Sequence, residues 1–366
     1  MAGSVHVDGI ILGAGITGLS CAEALLQKRK TCVVLDPNEI GYGASCSPGM
    51  LVNPATGRRA RKAWKAKKCF NLISDVLHRV QAEFGQTIFE TSGVIRPALT
   101  KKLSKNFEQS PGKYEWPDGW IEWLPKDEFS KQFPVFKNHF GGLFVRNAMT
   151  VNGNLFIKAF AEYLDRRDIH ILSGINYDLQ QFRKKWEANL ANSQTYEADF
   201  VIDATGYQQV KSEEWNMVPL HPVKGQTATF FFDEPLPFKT SVSSLGYMAF
   251  IKDQPNQITV GSTYEHNFTH LKPDENGLNY LKKKLDTTFP GLIDKSISIE
   301  QWSGVRVSIQ DKKPVIGPHP DKKGLYMIGA LGSKGLLMGR FMADTLVEHI
   351  LNGSSIEKTI SIERFL

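Results

Sequence analysis

The sequence predicts an α/β fold, and three stretches carry that expectation. Residues 7–12 are a short apolar run. It opens directly into Gly13-Ala14-Gly15-Ile16-Thr17-Gly18, a helix-like segment to Gln27, and a second β-branched run ending in Asp36. Near the other end, the strand-like run 325–328 leads through a glycine-rich turn at 329–336 into a helix over 338–351. Between them, 216–299 carries short strand-like runs broken by turns, the pattern of an antiparallel sheet. Together these give a discontinuous, Rossmann-like dinucleotide-binding domain over 1–85, 146–215 and 300–366. A second, antiparallel-sheet substrate domain is expected over 86–145 and 216–299.

Each part of the first stretch has a physical task. A buried parallel strand needs an apolar run such as 7–12. Gly13 allows the tight turn, Gly15 lets backbone approach a pyrophosphate, and Gly18 lets the helix pack close to the strand. The helix N-terminus offers free N–H groups and a positive dipole to phosphates. Asp36, about 20 residues after the glycines, can accept a hydrogen bond from a ribose hydroxyl. Strand, turn, helix, strand and terminal acid agree, which is the context that gives the motif weight. The motif alone leaves NAD and FAD both open.

Composition bounds the rest. A chain of 366 residues, 41% hydrophobic and 22% charged, can bury a large core and fits a globular protein of two domains. It has no apolar run of about 18 residues, so no membrane span is expected. Residues 1–6 show no basic-then-apolar leader, so a cytoplasmic protein is expected. Cys21, Cys32, Cys46 and Cys69 all fall early, without CxxC pairs or histidines at ligand spacing. Reduced thiols and no metal site are expected. A net charge of +6 permits an anionic partner without demanding one.

The elements then follow in order. Residues 41–54 are a glycine- and serine-rich loop, long for a plain connector. Residues 57–70 are the most basic stretch. At helical spacing Arg58, Arg61, Lys65 and Lys68 share a face, with Trp64 among them. This is either a solvated helix face or a landing strip for phosphates with Trp64 stacking on a base. An amphipathic helix continues over 72–84, and 93–97 reads as a strand. Residues 101–142, with Trp116, Trp120 and Trp123 among prolines and glycines, read as irregular, the tryptophans forming core or a lid. A helix starts at 151–154, a strand lies at 169–172, and 185–197 suggests a polar hairpin. Residues 200–203 are a buried strand ending in Ala204-Thr205-Gly206. Strands are expected at 229–232, 246–251 and 257–263, and a helix over 278–289 stopped by Pro290.

Through these residues the chain resembles the FAD-dependent amine and amino-acid oxidases, the family of D-amino-acid oxidase, glycine oxidase and sarcosine oxidase. The likeness covers nearly the whole chain. It rests on Gly13 to Gly18 with Asp36, Gly43-Ala44-Ser45 through Gly49-Met50, Ala204-Thr205-Gly206 and Lys224-Gly225-Gln226. Further matches are 261–265, Gly304-Val305-Arg306 through Asp311 to Pro314, and Gly332-Ser333-Lys334-Gly335. Most of the family carries Glu where this chain has Asp36. Within the family, 302–306 with Asp311 and 330–336 look like the oxidase half of a bifunctional enzyme that modifies the tRNA wobble uridine. This chain has no room for that enzyme's methyltransferase domain, so a stand-alone oxidase is expected.

The resemblance implies FAD, held without a covalent bond because no cysteine lies in the C-terminal stretch where sarcosine oxidases attach it. It implies cofactor contacts at Gly13, Gly15, Ile16, Thr17, Gly18, Asp36, Ala44, Ser45, Gly49, Met50, Ala204, Thr205, Gly206, Gly332, Ser333, Lys334, Gly335 and Leu336. It implies Arg306 as a bidentate partner for a substrate carboxylate, against the plainer reading of a structural salt bridge with Asp311 or another acid. Tyr247 and Tyr264 are candidates to close the pocket, and Lys334 to touch substrate or reduced flavin. Three functions compete: oxidation of the carboxymethylaminomethyl group of a tRNA wobble uridine, oxidation of a free small amino acid such as glycine, sarcosine or a D-amino acid, and non-catalytic flavin or RNA binding.

Overall fold

The computed structural model describes residues 4–366; residues 1–3, part of the stretch where no leader is expected, lie outside the described residues. Two eight-stranded sheets organise the chain. In the first, Ser4–Leu12 lies between Cys32–Asp36 and Thr195–Asp203, parallel to both, and His170–Ser173 extends the parallel order. Ile10, Ile11, Val33 and Val34 are fully buried, which is what a parallel strand covered on both faces requires. Thr195–Asp203 serves two partners on its other side. Its first half pairs antiparallel with Lys185–Leu190, the expected hairpin, and from Val201 it runs parallel to Leu325–Gly329.

Helices Ile16–Gln27, Ala66–Phe84, Gly153–Asp165 and Gly335–Asn352 share one apolar cluster against this sheet. The Gly153–Asp165 helix starts where its cap dictates, because Asn152 accepts from the Leu155 N–H at 3.1 Å. No helix among the described residues is long and apolar enough to cross a membrane.

In the second sheet, His221–Phe232 lies between Ser296–Ser308 and Gln257–Gly261, antiparallel to both. The order continues through Tyr247–Ala249, Ser241–Ser243, Val94–Pro97, Gly142–Val145 and Ile121–Leu124. Helix Glu275–Thr288 covers one face, placing Leu281 and Leu285 against Ala228, Phe230 and Val260. Ser296–Ser308 runs through position 300, so the boundary drawn there falls inside a strand.

Two expectations are corrected. Residues 101–142 are not irregular. They hold helix Lys101–Lys113, strand Ile121–Leu124 and helix Lys126–Gln132. Pro111 lies inside the first helix and masks it in sequence. Trp120 is buried, and Trp116 and Trp123 pack on the same apolar clusters, so the tryptophans are core. The basic stretch is not one helix either. Ala55–Thr56 and Arg61–Lys62 pair as a tight hairpin, with Gly57 and Ala60 in the left-handed region. Lys65 is also left-handed, and the helix begins only at Ala66. Trp64 meets Phe341 edge-on at 5.6 Å and is half-buried, so it is not an open stacking platform.

Candidate functional site

The dinucleotide end is made by backbone packing. Gly13 has φ of 99°, and a Cβ there would sit 2.7 Å from the Ala204 carbonyl oxygen. A Cβ on Gly18 would lie 1.9 Å from the Gly13 carbonyl oxygen. The first helix therefore starts hard against the turn, with Ala204-Thr205-Gly206 behind it. Asp36 Oδ2 accepts from the Ala14 N–H at 2.9 Å, placing the acid at the mouth of that turn. Ser45 Oγ accepts from the Ile16 N–H at 3.0 Å. The first turn of a helix has further N–H groups with no helical partner. The second glycine turn closes over the first, because Gly335 and Gly339 both face the Ile16 side chain. Gly49 passes so close to the second sheet that a Cβ would meet Ala249 at 2.6 Å, and Met50 opens the short strand Met50–Val52 beside it. Two glycine turns, free N–H donors, a hydroxyl and an acid at the mouth of the first turn fit a dinucleotide bearing a pyrophosphate.

A second cluster of candidate residues is made by side chains from the second sheet. Arg306 lies over Gly225, where a Cβ would meet its Nη2 at 2.5 Å. Its Nη1 donates to Ser262 Oγ at 2.9 Å and its Nη2 to the Thr263 carbonyl at 2.8 Å. Nε is buried with no hydrogen-bond partner. Among the described residues no carboxylate lies within ion-pair distance of Arg306. Asp311, the expected rival partner, instead lies 3.8 Å from Arg364. The Arg306 guanidinium sits 4.3 Å from the centre of the Tyr264 ring. Tyr247 is close by; burial pushes its phenol up, so it stays protonated, 3.4 Å from Ser47 Oγ.

Behind Arg306 a buried network fixes the segment it leans on. Thr263 and Gln226 exchange hydrogen bonds, Thr263 N–H to the Gln226 carbonyl and Gln226 N–H to Thr263 Oγ1. Lys224, 1% exposed, reaches Asp274 at 3.0 Å and Glu265 at 3.4 Å. The Gly277 N–H, then Lys224 and Gln226, hold Asp274 down at about 2. Thr263, Tyr264, Glu265, Asp274 and Tyr280 line an open cavity of about 1050 Å³.

Arg306, Tyr264 and Tyr247 are thus brought together. Lys334 is not: its amine donates to the Lys312 carbonyl, and Ser333 beside it is exposed. Burial pushes the Cys46 thiol up to about 12. Sequence reasoning missed Ser262, Ser47 and Lys284. Lys284 sits in a run of three lysines that reads as a solvated face. Its signal is its place on the buried stripe with Leu281, Leu285 and Thr288.

The FAD dependent oxidoreductase family model, DAO, matches residues 8–349. The chain belongs to the DAO family of FAD-dependent oxidoreductases. FAD is its cofactor, and the glycine cradle described above is the part of the fold that fits it. The chain is 24% identical to glycine oxidase of Bacillus licheniformis, over 96% of this chain and 95% of that protein. It is also 24% identical to the tRNA 5-methylaminomethyl-2-thiouridine biosynthesis bifunctional protein MnmC of Acinetobacter baylyi, covering 97% of this chain and 55% of that protein. This chain therefore spans about half of that relative. Its fold matches the crystal structure of glycine oxidase from Geobacillus kaustophilus with a TM-score of 0.80, at 18% identity over 96% of each chain.

Proposed function

We propose that this oxidoreductase oxidises the C–N bond of an amine that carries a carboxylate, and that the amine is the carboxymethylaminomethyl group of a tRNA wobble uridine. Arg306 carries the reading. It is a half-buried guanidinium with a bare Nε and, among the described residues, no acidic partner, and it lies against Tyr264, which lines a wide cavity. A cation held that way lacks its anion, and a bidentate carboxylate would satisfy it. Bound FAD supplies the acceptor for a hydride equivalent from the carbon next to nitrogen. The chain's own part is positional. Arg306 fixes the carboxylate end, Tyr264 backs the guanidinium, and the protonated Tyr247 phenol offers a donor to the pocket. Hydrolysis of the resulting imine would release glyoxylate and leave the aminomethyl nucleoside.

The surface supports an RNA partner. Arg58, Arg59 and Arg61 are exposed on the hairpin, and Lys62, Lys65, Lys67 and Lys68 line a cavity of about 340 Å³. The full-length match to glycine oxidase favours a second reading, a free small amino acid. Anaerobic bleaching of the flavin near ~450 nm, a property of the cofactor, separates them. Bleaching by carboxymethylaminomethyl-tRNA, abolished by charge reversal at Arg58, Arg59 and Arg61, supports the tRNA substrate. Bleaching by glycine or sarcosine that survives the reversal assigns the free amino acid. Bleaching by none of them sinks the amine reading.

A further inference from the structure

Lys284 has no role in the reading above, yet it is the most confined amine near the site without an acid. It is 7% exposed on helix Glu275–Thr288. Its Nζ donates to the Ser262 carbonyl at 2.8 Å and lies 4.4 Å from the centre of the Tyr280 ring. Among the described residues no carboxylate lies within ion-pair distance of it. Arg306 converges on the same residue from the other side, through Ser262 Oγ. Two cations therefore share Ser262, and each is backed by an exposed tyrosine, Tyr264 or Tyr280, that lines the open cavity. Burial, then repulsion from Arg306 and Arg58, hold the Lys284 amine down at about 8. A buried cation is normally paired. One substrate carboxylate on Arg306 would neutralise only one of the two charges.

We propose that Lys284 determines specificity by taking a second anionic group of the substrate, a carboxylate or a phosphate, beyond the carboxylate held by Arg306. The inference rests on the amine-oxidase reading of the site. It explains why two cations are gathered where a simple amino-acid pocket needs one.

The test compares the holoenzyme with Lys284→Met and Lys284→Arg after flavin content is checked, with Lys284→Gln in place of Met if flavin is lost. Two substrate pairs are used: sarcosine against iminodiacetate, and carboxymethylaminomethyluridine against its 5′-monophosphate. The parent enzyme is expected to favour the more anionic member of one pair, in kcat/KM, by about 10-fold or more. Lys284→Met should erase that ratio and Lys284→Arg should keep most of it. The pair that responds tells whether the second group is carboxylate or phosphate. Ratios that are unchanged by the substitution in both pairs overturn the proposal. If no amine reduces the flavin, the amine reading falls, and binding still tests Lys284. Malonate and acetate are then titrated against the flavin spectrum. Tighter malonate binding that disappears in Lys284→Met supports the second anion site, and no selective loss overturns it.

Discussion

The two ends of the site are built in opposite ways. The dinucleotide end consists of backbone brought close to backbone, so glycines at 13 and 18 are what make it possible. The end we propose for the substrate consists of long side chains, Arg306 from one strand and Lys284 from a helix, meeting on Ser262. At Gly13 and Gly18 the first end has no room for an added carbon. The second has an open cavity, and its properties depend on charge. A fold can therefore keep its cofactor while its substrate changes.

The largest test of that contrast is Gly18→Ala. Its Cβ would lie 1.9 Å from a carbonyl oxygen, so FAD affinity should fall by about 100-fold or more, roughly 3 kcal/mol. Gly15→Ala should be milder, since its Cβ would meet only Ser45 Oγ at 3.2 Å. Flavin content and FAD titration of the apoprotein check both, and equal losses would break the steric argument. Arg306→Met should act the other way round. It should leave flavin content intact while kcat/KM for a carboxylate-bearing amine drops by ~10²–10⁴, the worth of two charge-assisted hydrogen bonds. Loss of flavin in that variant would show that the two ends are not separable.

A smaller effect is expected at Arg96, which is 2% exposed and donates to the carbonyls of Ala55, Gly57 and Ser243 at 2.6, 2.7 and 3.1 Å. Arg96→Met should cost about 2 kcal/mol of stability and make the basic hairpin protease-sensitive. Intact resistance to cleavage at Arg58 to Arg61 would refute that anchoring. Lys284→Met should be the smallest and opposite in sign. The folded amine, at about 8, lies below its unfolded value, so folding at pH 7 must hold a proton it disfavours, beside Arg306 and Arg58. The variant should be more stable by ~1–2 kcal/mol at pH 7, less than the full shift because a hydrogen bond to Ser262 is lost too. The gain should shrink as pH rises from about 8 towards 10.5. A thermal-melting series over that range reads it, and a gain independent of pH would remove the charge from the explanation.

The same contrast decides what sequence could tell. The cradle was legible because its constraints are local: Gly13, Gly18 and Asp36 lie on consecutive elements at fixed spacing. The hairpin at 185–197 and the capped helix after Asn152 were legible for the same reason. The basic segment was not. Its spacing fits a helix, and what the spacing does not contain is Arg96, a residue far along the chain that donates to the carbonyls of Ala55 and Gly57 in the turn. Arg306 was singled out through family likeness rather than spacing, because the lack of an acid beside it among the described residues is a three-dimensional fact. Lys284 was hidden among Lys282 and Lys283, although the stripe it shares with Leu281 and Leu285 marked it as inward-facing.

The packing of Ile16 against Gly335 and Gly339 has a consequence for the order of events in the cell. Residues 13–18 form one wall of the nucleotide cradle, but its sheet lacks the strand Leu325–Gly329 and its roof lacks helix Gly335–Asn352 until that distant segment has been made. Cofactor capture should therefore wait until the segment 325–352 has folded onto the first helix. A chain truncated before residue 325 should carry folded local pieces yet remain colourless.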